Sequence, residues 1–148
     1  MPAFIALGRV LFAVLFIVSG AFKLLDIAAT TQMTEKIVLP AALASYVSQL
    51  ESMTGMPMAQ MLAIAAGTIE LLCGLMIALN FGARFAAIVL ILFVAAATFY
   101  FHDFWNQTGA DARNNMIHAL KNLSIIGALL IVAGTVRLVP VSKPAYDV

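Results

Sequence analysis

Charge is what this chain has least of. Of its 148 residues, 10% are Asp, Glu, Lys or Arg, against about 25% in a typical soluble domain. A surface facing water on all sides could not be covered with so few. The two signs nearly cancel, eight Lys and Arg against seven Asp and Glu. That balance gives no electrostatic footprint for a nucleic-acid partner, which would need Lys and Arg clustered on one face. Cysteine is also scarce. Cys73 is the only one, so the subunit can form neither an internal disulfide nor a CxxC redox pair. Set in an apolar run, it reads as a small packing residue. P-loop, dinucleotide GxGxxG and Ser/His/Asp arrangements are missing as well, and no internal repeat is present. No intrinsic cofactor follows from the residues.

What the chain has instead is long apolar runs. Hydrophobic residues make up 64% of it, and mean hydropathy is +1.04. Four runs cover residues 4–25, 58–79, 83–101 and 116–135. Each is near the 20 residues that cross a hydrocarbon layer of about 30 Å. Inside lipid a segment must satisfy its own backbone hydrogen bonds, so each run is expected to be a helix. The first run has Arg9 ahead of an apolar stretch and Ser19, Gly20 and Ala21 behind it, which superficially resembles a secretion signal. Apolar character nevertheless begins before Arg9 and continues to Leu25, as a transmembrane helix requires. The expected fold is all-α, a single transmembrane domain built as a four-helix bundle in contact with the lipid bilayer.

The joints differ in kind. Asn80-Phe81-Gly82 predicts a tight turn, making the second and third spans antiparallel neighbours. Residues 107–115 read as a polar loop. Residues 27–57 form a longer excursion in which Pro40 is expected to separate two short amphipathic helices. Leu43, Val47 and Leu50 make one apolar stripe there, suited to the membrane surface or to capping the bundle. With four spans, both termini share a side with the Asn80–Gly82 turn. Arg9, Arg84, Arg137 and Lys143 lie on that side, and Lys23, Lys36, Arg113 and Lys121 on the other. Lys23 and Lys121 sit within or at the edge of spans, so discounting them places the termini in the cytoplasm.

Ionisable residues inside spans are costly and mark structure or function. In the first span, Arg9, Ala13, Phe16, Gly20 and Lys23 share one face. In the second, Ala63, Ala66, Gly67, Cys73 and Gly74 form a small-residue stripe around Glu70, predicting close helix contact. An Arg9–Glu70 ion pair is expected to hold these two helices in register. The loop-side ends gather Lys23, Asp26, His102, Asp103, His118, Lys121 and Asn122 with Tyr100, Phe104 and Trp105. Three readings stay open for this set. The lysines can pair with aspartates beneath an aromatic belt. The donors can line a site for a lipid-soluble carbonyl ligand such as quinone. Alternatively, His102, His118 and a carboxylate can bind metal, although His118 has no second histidine at helical spacing and no metal is expected.

In order along the spans, Gly8-Arg9, Ser19-Gly20-x-x-Lys23-Leu24-x-Asp26, Gly67-x-x-Glu70-x-x-x-Gly74, Arg84, His102-Asp103-Phe104-Trp105 and His118-x-x-Lys121-Asn122 resemble the DoxX family of small four-helix membrane proteins. The resemblance implies a bacterial or archaeal inner-membrane location and a link to quinone-coupled oxidation, but no catalytic residue. The 27–57 excursion is longer than the usual connection in that family. The leading expectation is an accessory subunit of a quinone-linked redox system, served by a redox protein partner, in which any oxidoreductase activity depends on a bound quinone or that partner. A non-enzymatic membrane scaffold or anchor is the alternative. A small-solute transporter, which would need a homo-oligomer, is the third.

Overall fold

A computed structural model describes residues 2–135; Arg137 and Lys143, counted above for orientation, lie outside the described residues. Four helices are long and apolar enough to cross a membrane. They are α1 (Pro2–Leu25), α4 (Met58–Ala78), α5 (Ala83–Phe101) and α6 (Gly109–Gly134). Between α1 and α4 lie α2 (Ile27–Thr34), a 3-10 turn at Ala41–Leu43 and α3 (Ala44–Thr54). The chain breaks where Pro40 was expected to break it, with Pro40 standing immediately before the 3-10 turn. No strand occurs among the described residues.

The helices pack in sequence as a row. α1 runs along α4, α4 against α5 and α5 against α6, while α1 makes no extensive contact with α5 or α6. Small residues bring α1 and α4 closest. A methyl placed on Gly20 would lie 2.5 Å from Leu71 N and 2.7 Å from Gly67 O. The expected faces are those that turn inward: Ala13, Phe16 and Gly20 on α1, and Ala63, Gly67, Glu70, Cys73 and Gly74 on α4, are buried. Ile77, Ala86, Ala87, Leu90 and Leu129 continue this core through α5 to α6.

Between α4 and α5 the backbone turns sharply. Asn80 and Gly82 adopt left-handed φ of 55° and 59°, and Phe81 N donates back to Met76 O at 3.0 Å. This is the tight turn the Asn-Phe-Gly sequence predicts. Residues 107–115 depart from expectation. Only the first two precede α6, which begins at Gly109 and carries Asn114 and Asn115 on its first turns. The apolar count misses these turns because they are polar, yet Ala110 and Ala112 favour helix and Asp111 suits a helix start.

α2 sets the depth of everything at this end. Asp26 interrupts α1 and caps α2, its Oδ1 accepting from Ala29 N at 3.0 Å. The chain then continues along α4, where Thr34 Oγ1 donates to Ala59 O at 2.7 Å. The first turns of α4 therefore pack against α2, and Glu70 comes level with the end of α1.

Candidate functional site

Among the described residues, the one charged side chain that is buried belongs to the α1–α4 contact. Glu70 has 8% of its side chain exposed. Its Oε2 accepts from Lys23 Nζ at 2.6 Å and from Ser19 Oγ at 2.9 Å, and Lys23 Nζ also donates to Ser19 Oγ at 2.6 Å. Ser19, Lys23 and Glu70 thus close a three-membered network one helical turn deep. Gly20 and Gly67 lie in the same layer and permit the approach that such short bonds need.

This arrangement corrects the Arg9–Glu70 pair expected above. Arg9 lies 11 residues before Gly20 on the same helix, about 16 Å away at the α-helical rise. The error comes from centring each span in the bilayer. Because α2 carries the path of α1 further along α4, the register shifts Glu70 toward Lys23. Arg9 Nε is buried with no hydrogen-bond partner among the described residues.

A second network joins α5 to α6. Gln107 Nε2 donates to Asp103 Oδ1 at 2.7 Å, Asn115 Nδ2 to Gln107 Oε1 at 2.6 Å, and Asn115 Oδ1 lies 3.1 Å from His102 Nδ1. The direction of this chain follows from one end. An ionised carboxylate only accepts, so Gln107 must present its amide nitrogen to Asp103 and its oxygen to Asn115. Asn115 then has its oxygen left for His102. Nδ1 of His102 therefore carries the proton, and Nε2 is the ring's acceptor when the ring is neutral. His118 stacks on His102 with ring centroids 5.0 Å apart and planes 10° apart. Nitrogen-15 spectra should show His102 in the Nδ1–H form, and Asn115→Ala should abolish that preference without unfolding the chain. An unchanged tautomer in the variant would refute the chain of amides.

A third bond sits further along the same helix pair. Asn122 Nδ2 donates to Thr98 Oγ1 at 2.9 Å, and the Thr98 hydroxyl donates onward to Val94 O at 2.7 Å. Beside it an open cleft of about 380 Å³ runs between α5 and α6, lined by Ala95, Thr98, Phe104, Ala119, Leu123 and Ile126 among others. Another, of about 410 Å³, lies along the start of α6 at Gly109, Arg113 and Asn114. Lys23, His102 and Lys121 line neither cleft.

The loop-side residues therefore divide. Lys23 joins Glu70, and Asp26 caps α2. His102, Asp103 and His118 belong to the α5–α6 chain of side chains, Asn122 meets Thr98, and Lys121 is exposed on α6. Among the described residues no group of three or more His, Cys, Asp or Glu is placed to hold a metal ion. Thr98, Gln107 and Asn115 were not singled out from the sequence. The i,i+4 spacing of Ser19 from Lys23 is by contrast a legible signal.

This topology, with a Lys23–Glu70 layer between the first two spans and His102-Asp103 closing the third, can be set beside known proteins. The DoxX family model matches residues 4–103, more than half of the chain. The chain belongs to the DoxX family. It is also similar to the inner membrane protein YphA of Escherichia coli (strain K12), with 29% identity over 134 residues that cover 90% of this chain and 84% of that protein. No solved structure matches it. The family match of this DoxX chain takes in Ser19, Lys23, Glu70, His102 and Asp103 and stops before α6. The stacking partner His118, the amide of Asn115 and Asn122 all lie beyond it.

Proposed function

We propose that this DoxX protein is an inner-membrane accessory subunit of a quinone-linked redox system, with the quinone ring held in the α5–α6 cleft. The observation that carries the reading is the cleft itself. At about 380 Å³ it falls in the size range of small-ligand sites, which combine apolar walls with a few placed polar groups. Its walls are apolar, Phe104 offers an aromatic face, and the polar wall residue is Thr98, to which Asn122, itself not a wall residue, is bonded. One amide hydrogen of Asn122 is used on Thr98. The second can donate to a quinone carbonyl. Electrons and protons would pass through the bound quinone and a redox protein partner, since cofactors of this kind carry the chemistry while protein positions them. Both termini lie in the cytoplasm in this reading, and assembly as a homo-oligomer is compatible with it.

The test is to purify the protein with its native lipid and measure quinone per chain. Ala119→Phe fills the cleft with an apolar ring and leaves Asn122 in place. The quinone content should fall about tenfold or more, the loss expected when about 1.4 kcal/mol of binding is removed. Equal quinone in both proteins overturns the reading.

A non-enzymatic scaffold is the second reading, and one observation favours it. Lys23, Glu70, Asp26, Asp103 and Asn122 all have hydrogen-bond partners within the chain, as expected of groups that only fix helix contacts. It predicts no quinone in the wild-type protein at all.

A further inference from the structure

We infer that α3 is an interfacial anchor whose apolar face lies in the loop-side leaflet of the bilayer that the four long helices cross. Spacing gives α3 an apolar face. Leu43, Tyr46, Val47, Leu50 and Met53 recur at helical intervals on one side, while Ser45, Ser48 and Ser52 take the other. Such a stripe must be covered by the bundle or by lipid. The bundle covers only Val47 of this stripe, and that in part. Tyr46 is 65% exposed and Met53 75%, with Leu43 and Leu50 each more than two-fifths exposed, and α3 touches α4 only slightly.

The direction of that face is fixed. Glu51 Oε1 accepts from Met58 N at 2.8 Å, capping the start of α4. Gly55 closes α3 in a left-handed conformation, its N–H donating to Glu51 O at 2.9 Å. Thr54 Oγ1 reaches Met61 Sδ at 3.4 Å. The helix is thus tethered through its last turn and cannot roll its apolar face onto α4 without losing these bonds. Glu51 is the only charged side chain on α3 and is already engaged.

The height is independently marked. α3 joins α2 to α4, so it lies at the end of the bundle where α5 finishes. There Phe99, Phe104 and Trp105 form an aromatic cluster, with ring centroids 5.8 Å apart for Phe99–Trp105 and 5.2 Å for Phe104–Trp105. Trp105 is 50% exposed. Aromatic rings of this kind mark the boundary between hydrocarbon and headgroups, which is also the depth of an interfacial helix. The apolar surface of α3 therefore continues the lipid-facing surface of the spans. With no free basic residue on α3, attachment comes from apolar burial and not from attraction to anionic headgroups.

The experiment uses the full chain in phosphatidylcholine vesicles, with Cys73→Ala removing the native thiol. An environment-sensitive dye is placed at Leu50→Cys or at Ser48→Cys. The dye at position 50 should emit further to the blue and be quenched several-fold more by nitroxide-bearing lipid than the dye at 48, which aqueous iodide should quench preferentially. Added salt or anionic lipid should leave both unchanged. Equal iodide access at the two positions would mean α3 lies in water. Protection of position 50 from both quenchers would mean that protein covers it, such as a second copy of the chain. Either outcome overturns the inference. Should the cysteine-free chain fail to fold, Trp105→Phe with Leu50→Trp and brominated lipid asks the same question, and an unquenched Trp at 50 gives the same refutation.

Discussion

Gly20→Ala should destabilise this protein by about 3 kcal/mol, at the upper end of what overpacking a tight contact costs, although it adds a single methyl group. The new carbon would lie 2.5 Å from Leu71 N and 2.7 Å from Gly67 O. Both are backbone atoms inside α4, so no side chain can swing aside and the two helices must separate. Separation also stretches the Lys23–Glu70 and Ser19–Glu70 bonds in the same layer. The other glycines give graded controls. A methyl on Gly67 meets mainly the flexible end of Leu24, at 2.8 and 3.0 Å, with Gly20 O at 3.1 Å, so Gly67→Ala should cost less. A methyl on Gly127 meets nothing within 4 Å, and Gly127→Ala should be neutral or gain up to about 1 kcal/mol of helix propensity. Thermal unfolding in detergent, followed by the helical signal, ranks the three. Equal midpoints for Gly20→Ala and Gly127→Ala would show that α1 and α4 do not meet as closely as described.

The same contact shows what the sequence makes legible and what it hides. The small-residue stripe around Glu70 and the α1 face of Ala13, Phe16 and Gly20 are readable, because helical periodicity alone determines which side of a helix they share. So are the four spans and the Asn80–Gly82 turn, which depend on run length and local backbone preference. Pairing is different. Whether Glu70 meets Arg9 or Lys23 depends on the sliding register of two helices, and that register is set by α2 continuing along α4 past Asp26. The α6 boundary was hidden for a similar reason, since its first turns are too polar to register in an apolar count. For the loop-side residues the sequence gives a common end of the bundle but not a common partner. Helices packed in a row keep Lys23 on α1 apart from Lys121 on α6, whereas a closed bundle would have brought them together. Thr98 with Asn122 and His102 with Asn115 depend on side-chain reach across α5 and α6, and no one-dimensional pattern encodes that.

Removing one member of the Lys23–Glu70 pair should be more damaging than removing both. Breaking a buried ion pair costs about 3–5 kcal/mol because the survivor is left uncompensated, whereas replacing both partners by apolar groups is often close to neutral. The two single variants should differ from each other. The Lys23 side chain is 28% exposed and that of Glu70 only 8%. After Glu70→Leu the lysine can turn its flexible stem toward headgroups and water, while after Lys23→Met the carboxylate keeps only the Ser19 hydroxyl. Lys23→Met should therefore be the worse of the two. Lys23→Met with Glu70→Leu should recover most of the lost stability, giving a coupling energy well above the 0.5 kcal/mol within which independent sites add. Additive losses would refute a direct pair. The same double variant also bears on function, because neither residue lines the α5–α6 cleft. If the pair serves only to hold α1 on α4, the recovered protein should keep the wild-type quinone content. A stable double variant that has lost its quinone would instead place the ligand on the α1–α4 side of the bundle.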